Sequence, residues 1–258
     1  MLNLKSMLVR YGLFLSLLAA VTVYLSSCAP SASEDIKTPG LYCSFSVDAT
    51  NGLATASAVF RTGNPLGTNV VLSEGDEIRV NGVLLAYVDK IVVKSYDATF
   101  PAATEYSFVL TRPGESPYTC TLQSPPAVTI TSPAEGASIS RQSSFDVTWE
   151  NNGSASSTLS LILYGAYLNG LNDNVPDTGT FTIPANTLNL QSTSPTPTIS
   201  PTTSPTVTPT PSPTPTPATT TTEARIILSR TTTGTMDPAL NGTITGRSYD
   251  QVNIVSTP

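Results

Sequence analysis

Beyond residue 27, no window of this 258-residue chain repeats its apolar residues at helical spacing, and the apolar runs that recur are short and mostly alternating. Alternation puts one row of side chains on each face of a strand. A chain written this way buries its apolar rows by laying sheet on sheet. Cys43, Phe45 and Val47 alternate with Ser44, Ser46 and Asp48, and residues 54–60 (ATASAVF) and 69–72 (NVVL) follow. Residues 77–88 carry Asn81-Gly82 between apolar runs, a strong signal for a tight hairpin. Residues 89–96 (DKIVVKSY), 105–111 (EYSFVLT) and 117–122 (PYTCTL) complete about seven strands. That count predicts a β-sandwich over 40–124. Ser124-Pro125-Pro126 marks a boundary, and a second sandwich is expected over 127–258. Its strands include 145–149, where Phe145, Val147 and Trp149 share a face, then 159–168 (LSLILYGAYL), 224–230 (ARIILSR) and 245–255 (TGRSYDQVNIV).

The second sandwich is interrupted. Of the 32 residues 191–222, 9 are Pro, 14 Thr and 5 Ser, and none is charged. Such a stretch buries too little to offset its ordering entropy, so it is expected to stay disordered and extended. A tract of this kind usually separates domains. Here residues 223–258 supply only two or three strands, too few to stand alone. The tract is therefore read as an insertion in a loop between two late strands of the second sandwich. Lengthening a loop about fourfold costs only about 1–2 kcal/mol of closure entropy.

Residues 1–27 read as an export signal, with Lys5 and Arg10 ahead of the uncharged run 11–25. Leu25-Ser26-Ser27-Cys28 follows and resembles the lipobox of bacterial lipoproteins. The resemblance implies a diacylglyceryl group on the Cys28 thiol, cleavage just before it, and acylation of the new amino group. In a Gram-negative bacterium it implies an outer-membrane location. Residues 28–39 (CAPSASEDIKTP) are read as a tether between anchor and first sandwich. Cys43 and Cys120 are then an even pair in an oxidising compartment, and a disulfide between them is expected. Closing a loop of that span would contribute about 4–5 kcal/mol.

The two modules share a pattern near their ends. Phe100-Pro101-Ala102 precedes Val109-Leu110-Thr111-Arg112, and Ile183-Pro184-Ala185 precedes Ile227-Leu228-Ser229-Arg230. This points to a duplicated immunoglobulin-like sandwich. The residues of 130–140 (ITSPAEGASIS), 145–151 (FDVTWEN) and 174–185 (NVPDTGTFTIPA) also resemble the secreted Ser/Thr-rich immunoglobulin-like module of bacterial surface proteins and fungal cell-wall glucan-assembly proteins. The resemblance implies a fold and carries no catalytic residues. The fold class expected is all-β: two immunoglobulin-like β-sandwiches in tandem behind an N-terminal signal helix.

Functional chemistry is sparse. The chain has no histidine, which removes the commonest general base and metal ligand and every Ser-His or Cys-His pair. Neither Gly-x-Ser-x-Gly nor Ser-x-x-Lys occurs. Net charge is −6 with no basic stripe, which argues against nucleic acid. Asn172-Asp173-Asn174-Val175-Pro176 looks like a cadherin calcium element, but it falls between two strands of one module and is read as a turn. Glu74, Asp76 and Glu77 are read as a solvated turn, and Trp149 as core. Tyr164 and Tyr167 are candidates for an exposed face. No metal, cofactor or catalytic residue is assigned. The function expected is non-enzymatic: a lipid-anchored envelope protein binding another envelope protein, a glycan or a surface. A carbohydrate-binding surface module is the alternative.

Overall fold

A computed structural model describes residues 30–151, 158–165, 168–188 and 221–258. The strands are β1 (Ser31–Ala32), β2 (Leu41–Thr50), β3 (Leu53–Thr62), β4 (Asn69–Val71), β5 (Glu77–Val80), β6 (Val83–Leu84), β7 (Ala86–Asp89), β8 (Lys94–Pro101), β9 (Glu105–Thr111) and β10 (Tyr118–Gln123). They continue with β11 (Ile130–Ser132), β12 (Ala137–Ser140), β13 (Phe145–Trp149), β14 (Thr158–Gly165), β15 (Leu168–Pro176), β16 (Thr180–Ile183), β17 (Thr222–Thr233) and β18 (Asn241–Thr257). No α-helix occurs among the described residues; the chain is all-β and its sheets are stacked as sandwiches.

The chain forms two compact units. Among the described residues, one comprises those up to Ser124 together with Thr232–Arg247; the other comprises those between Pro125 and Thr231 together with Ser248–Pro258. This corrects the sequence reading, which gave all of 127–258 to the second sandwich. The periodicity of 241–257 marks a strand but cannot say which sheet it joins. In the fold, Leu240 and Ile244 lie in the core of the first unit, whereas Val252 and Ile254 lie in the core of the second.

In the first unit, β4, β3, β2 and the leading part of β18 lie side by side, with β8 also against β3. The ten-residue hairpin of β2 and β3 pairs Leu41 with Thr62 through to Thr50 with Leu53. Every odd-numbered residue of β2 is buried, as the alternation requires. The facing sheet runs β10, β9, β5, β6. Phe45 from one sheet stacks on Phe108 from the other, ring centroids 4.9 Å apart. Asn81 and Gly82 both have positive φ, so the hairpin expected there is formed. Residues 90–93, expected within a strand, instead form the turn between β7 and β8. Gly242 has φ +154°, and a Cβ there would fall 1.9 Å from the Cys43 carbonyl oxygen, so only glycine permits the approach of β18 to β2.

The expected tether is not one. Ser31 and Ala32 pair in parallel with Val70 and Val71, and Ser33 and Thr38 are buried. From Ser31 onward the segment is built into the first unit.

In the second unit, β18, β17, β14 and β15 form one sheet with β12 parallel to β18, and β11, β13 and β16 form the other. Leu159, Leu161 and Leu163 of β14 meet Val147 and Trp149 of β13 in the core. The residues flanking the Pro/Thr tract, β16 on one side and the greater part of β17 on the other, both belong to this unit. Residues 191–220 of the tract lie outside the described residues.

Candidate functional site

Each unit holds a buried arginine, Arg112 in the first and Arg230 in the second, that grips the segment entering its unit; the second unit also buries Arg141, which bonds to Ser256. Arg112 follows β9 and is 7% exposed. Its Nη2 donates to the Ser33 carbonyl at 2.7 Å, and its Nη1 donates to the Ile36 carbonyl at 3.0 Å and to Thr38 Oγ1 at 2.8 Å. Asp76 Oδ2 lies 3.5 Å from its Nε and accepts a 2.5 Å bond from Ser33 Oγ. Three of these four partners belong to the incoming segment 33–38, so burying the guanidinium and folding that segment are one event. Thr38 Oγ1 also donates to Glu115 Oε2 at 2.6 Å, and Tyr118 donates to the same oxygen. Those two bonds hold the Glu115 carboxyl below its usual range, and the bond to Glu115 pushes the Tyr118 phenol up.

Arg230, in β17, repeats the arrangement. Its Nε and Nη2 reach Asp177 at 2.8 and 2.9 Å, and its Nη1 donates to the carbonyl of Ala127 in the segment entering the second unit. Trp149 Nε1 donates to Asp177 at 2.9 Å. Trp149 is thus core, with its one polar atom satisfied. The shared run of apolar, Leu, hydroxyl and Arg residues in the two modules therefore has a physical meaning: the arginines occupy equivalent roles.

A cavity of about 550 Å³ opens beside Arg112, lined also by Glu34, Lys37, Glu74, Asp76 and Glu115. Of its carboxylates, Asp76 and Glu115 are already engaged in the clip, while Glu34, Asp35 and Glu74 lie outside it. Among the described residues no group of three or more acidic or cysteine side chains is placed to hold a metal ion.

The other sequence candidates scatter. Cys28 and Tyr167 lie outside the described residues. Cys43 and Cys120 are both fully buried free thiols, so the expected disulfide is not formed in this structure. They belong to opposite sheets, and Cys120 Sγ accepts a 3.2 Å bond from the Asp237 amide. Burial, reinforced by the neighbouring Cys120, pushes the Cys43 thiol up to about 12; burial also raises Cys120. Residues 172–176 are strand β15 and not a turn, with Asn172 opposite Ile162 and Asp173 opposite Leu161. Of the acidic trio, Asp76 is a buried structural partner, and Glu77 pairs with Arg79 at 3.0 Å on the surface. The exposed tyrosines Tyr87 and Tyr164 fall in different units and form no row within one sheet. The sequence reading missed Asp76 and Asp177 as partners of the arginines; nothing in the spacing announces an ion pair whose members lie 36 and 53 residues apart.

No family model matches the chain, and no curated protein matches it either. Among solved structures, the fibronectin(III)-like modules of CbhA from Clostridium thermocellum are similar to it at 12% identity, with a TM-score of 0.24, over 83% of this chain and 90% of that one.

Proposed function

We propose that this protein is a lipid-anchored envelope protein of an outer membrane, and that its two β-sandwich units bind another envelope protein or a glycan without performing chemistry. The observation that carries the reading is the meeting of motif and fold at the N-terminus. The lipobox marks Cys28, and the folded unit begins at Ser31. A lipid on Cys28 would mount the first unit directly at the bilayer surface, the Arg112 clip fixing the junction. Two or more acyl chains hold a protein stably where one does not. The test is metabolic labelling with palmitate. The wild-type protein is expected to be labelled and to sediment with membranes. Cys28→Ser is expected to keep its signal peptide and carry no label. Normal labelling of that variant would refute the anchor.

A further inference from the structure

The three most exposed large apolar side chains among the described residues gather at one end of the first unit. Ile91 is 102% exposed, Leu66 91% and Val92 79%; the next, Leu53 at 53%, starts β3 at the opposite end. The register fixes the grouping. Leu41 pairs with Thr62, Arg61 with Asn69, and the leading half of β8 with the trailing half of β3. Loop 63–68, carrying Leu66, and turn 90–93, carrying Ile91 and Val92, therefore close the same end. They touch: Asn69 Nδ2 donates to the Val92 carbonyl at 3.3 Å, and Pro65 and Val93 line one cavity of about 430 Å³ with Tyr42 and Arg61.

The N-terminus leaves from the same place. β1 is parallel to β4 with Ser31 beside Val70, so the chain preceding Ser31 arrives at the Asn69 end of β4, next to loop 63–68. Charge agrees. The chain has 18 acidic and 12 basic residues, yet the ten residues 63–68 and 90–93 include Lys90 and no carboxylate. The lysines at the two ends of the turn are ion-paired, Lys90 with Asp97 and Lys94 with Asp89.

We propose that this end of the first unit is a membrane-contact surface, with Leu66, Ile91 and Val92 seated among the headgroups of the bilayer that holds acylated Cys28. The proposal rests on the lipid-anchor reading. Cys28 precedes Ser31 by three residues, a reach of at most about 11 Å. An anchor that short keeps the loop end at the interface. Single exposed aliphatics need no explanation, but three together beside the anchor point present an apolar tip where lipid is the nearest neighbour. Apolar side chains with a lysine at their margin are the composition that interfacial segments use.

The test places an environment-sensitive fluorophore on the full-length protein purified from membranes, through Leu66→Cys, Ile91→Cys, Val92→Cys and, as the far-end control, Leu53→Cys. The native Cys43 and Cys120 are buried and resist labelling. The labelled protein is reconstituted into phosphatidylethanolamine and phosphatidylglycerol vesicles carrying a lipid-bound quencher, and the N-terminal peptide is weighed by mass spectrometry. Labels at 66, 91 and 92 are expected to shift to the blue and be quenched several-fold more than the label at 53. Lipid on Cys28 with equal quenching at all four positions overturns this surface alone. An N-terminal peptide without lipid overturns the anchor, and this proposal with it.

Discussion

Replacing Asp177 by alanine removes one acceptor from three buried donors. Trp149 Nε1, Arg230 Nε and Arg230 Nη2 all end on this carboxylate at 2.8–2.9 Å. Asp177 is fully buried and the Arg230 side chain is 5% exposed. Without Asp177 the guanidinium keeps only carbonyl acceptors, those of Ala127, Pro126 and Glu150. Breaking a buried ion pair from one side costs about 3–5 kcal/mol, and an orphaned indole N–H costs about 1–3 kcal/mol. The remaining carbonyls recover part of this, so a loss of about 4–6 kcal/mol is expected. A domain holds about 5–15 kcal/mol in all, so the second unit of the variant should be close to unfolding at room temperature.

The assay is built into the chain. Trp149 is the only tryptophan and stands against the altered site, so its fluorescence reports urea unfolding of the second unit. Asp177→Ala should lower the midpoint steeply. The double variant Asp177→Ala with Arg230→Met leaves no buried charge behind. It should be at least as stable as the single variant, a coupling of roughly 2–3 kcal/mol. A single variant within about 1 kcal/mol of wild type, or strictly additive losses, would refute the view that the pair and the indole form one buried network.

Two further outcomes are expected. The Cys43 thiol, raised from 9.0 to about 12 by burial, contributes stability that is intact below pH 9 and lost as pH rises toward 12, because only the unfolded chain ionises readily there. Between pH 9 and 11 the wild type should therefore lose about 1.4 kcal/mol per pH unit more than Cys43→Ala in chemical unfolding; parallel profiles would show that the thiol is not held protonated. Deleting 191–220 should leave Cys43 and Cys120 protected from alkylation, whereas ending the chain at residue 190 should expose both, since Leu240, Ile244 and Asp237 pack on or bond to their surroundings; protected thiols in the truncated chain would show that the first unit is complete without Thr232–Arg247.

Much of the fold was legible because period-two burial leaves a direct mark. In β2 the buried and half-buried residues alternate without a break, and Asn81-Gly82 names its own turn. What escaped depends on partners far along the chain. The leading half of β18 reads as an ordinary strand, and nothing local assigns it to β2, whose Asp48 meets Arg247 across 199 residues. Residues 31–38 look like a tether because they are small and polar. They are ordered by Arg112 from 74 to 79 residues away. KIVVK reads as strand by composition, yet Ile91 and Val92 point at solvent. A turn rich in β-branched residues violates the usual pattern where the surface has work beyond stability.

The exchange of segments has a consequence for assembly. The chain passes between units after Ser124, Thr231 and Arg247, so neither unit is built from one contiguous stretch. The first unit is the first to leave the site of synthesis, but its β2 neighbour, Asn241–Arg247, comes last. Until then β2 carries an open edge of ten residues, the kind that pairs with strangers. Contacts of such sequence separation also close slowly. The pair of β2 and β18 can therefore close only once residues 241–247 have been made. The Pro/Thr tract adds little to the delay: the cost of closing a loop grows only with the logarithm of its length. Fixing the final strand pair therefore falls mainly to Gly242 of β18, which alone fits against Cys43, while Arg247 adds a surface ion pair with Asp48 at 2.9 Å.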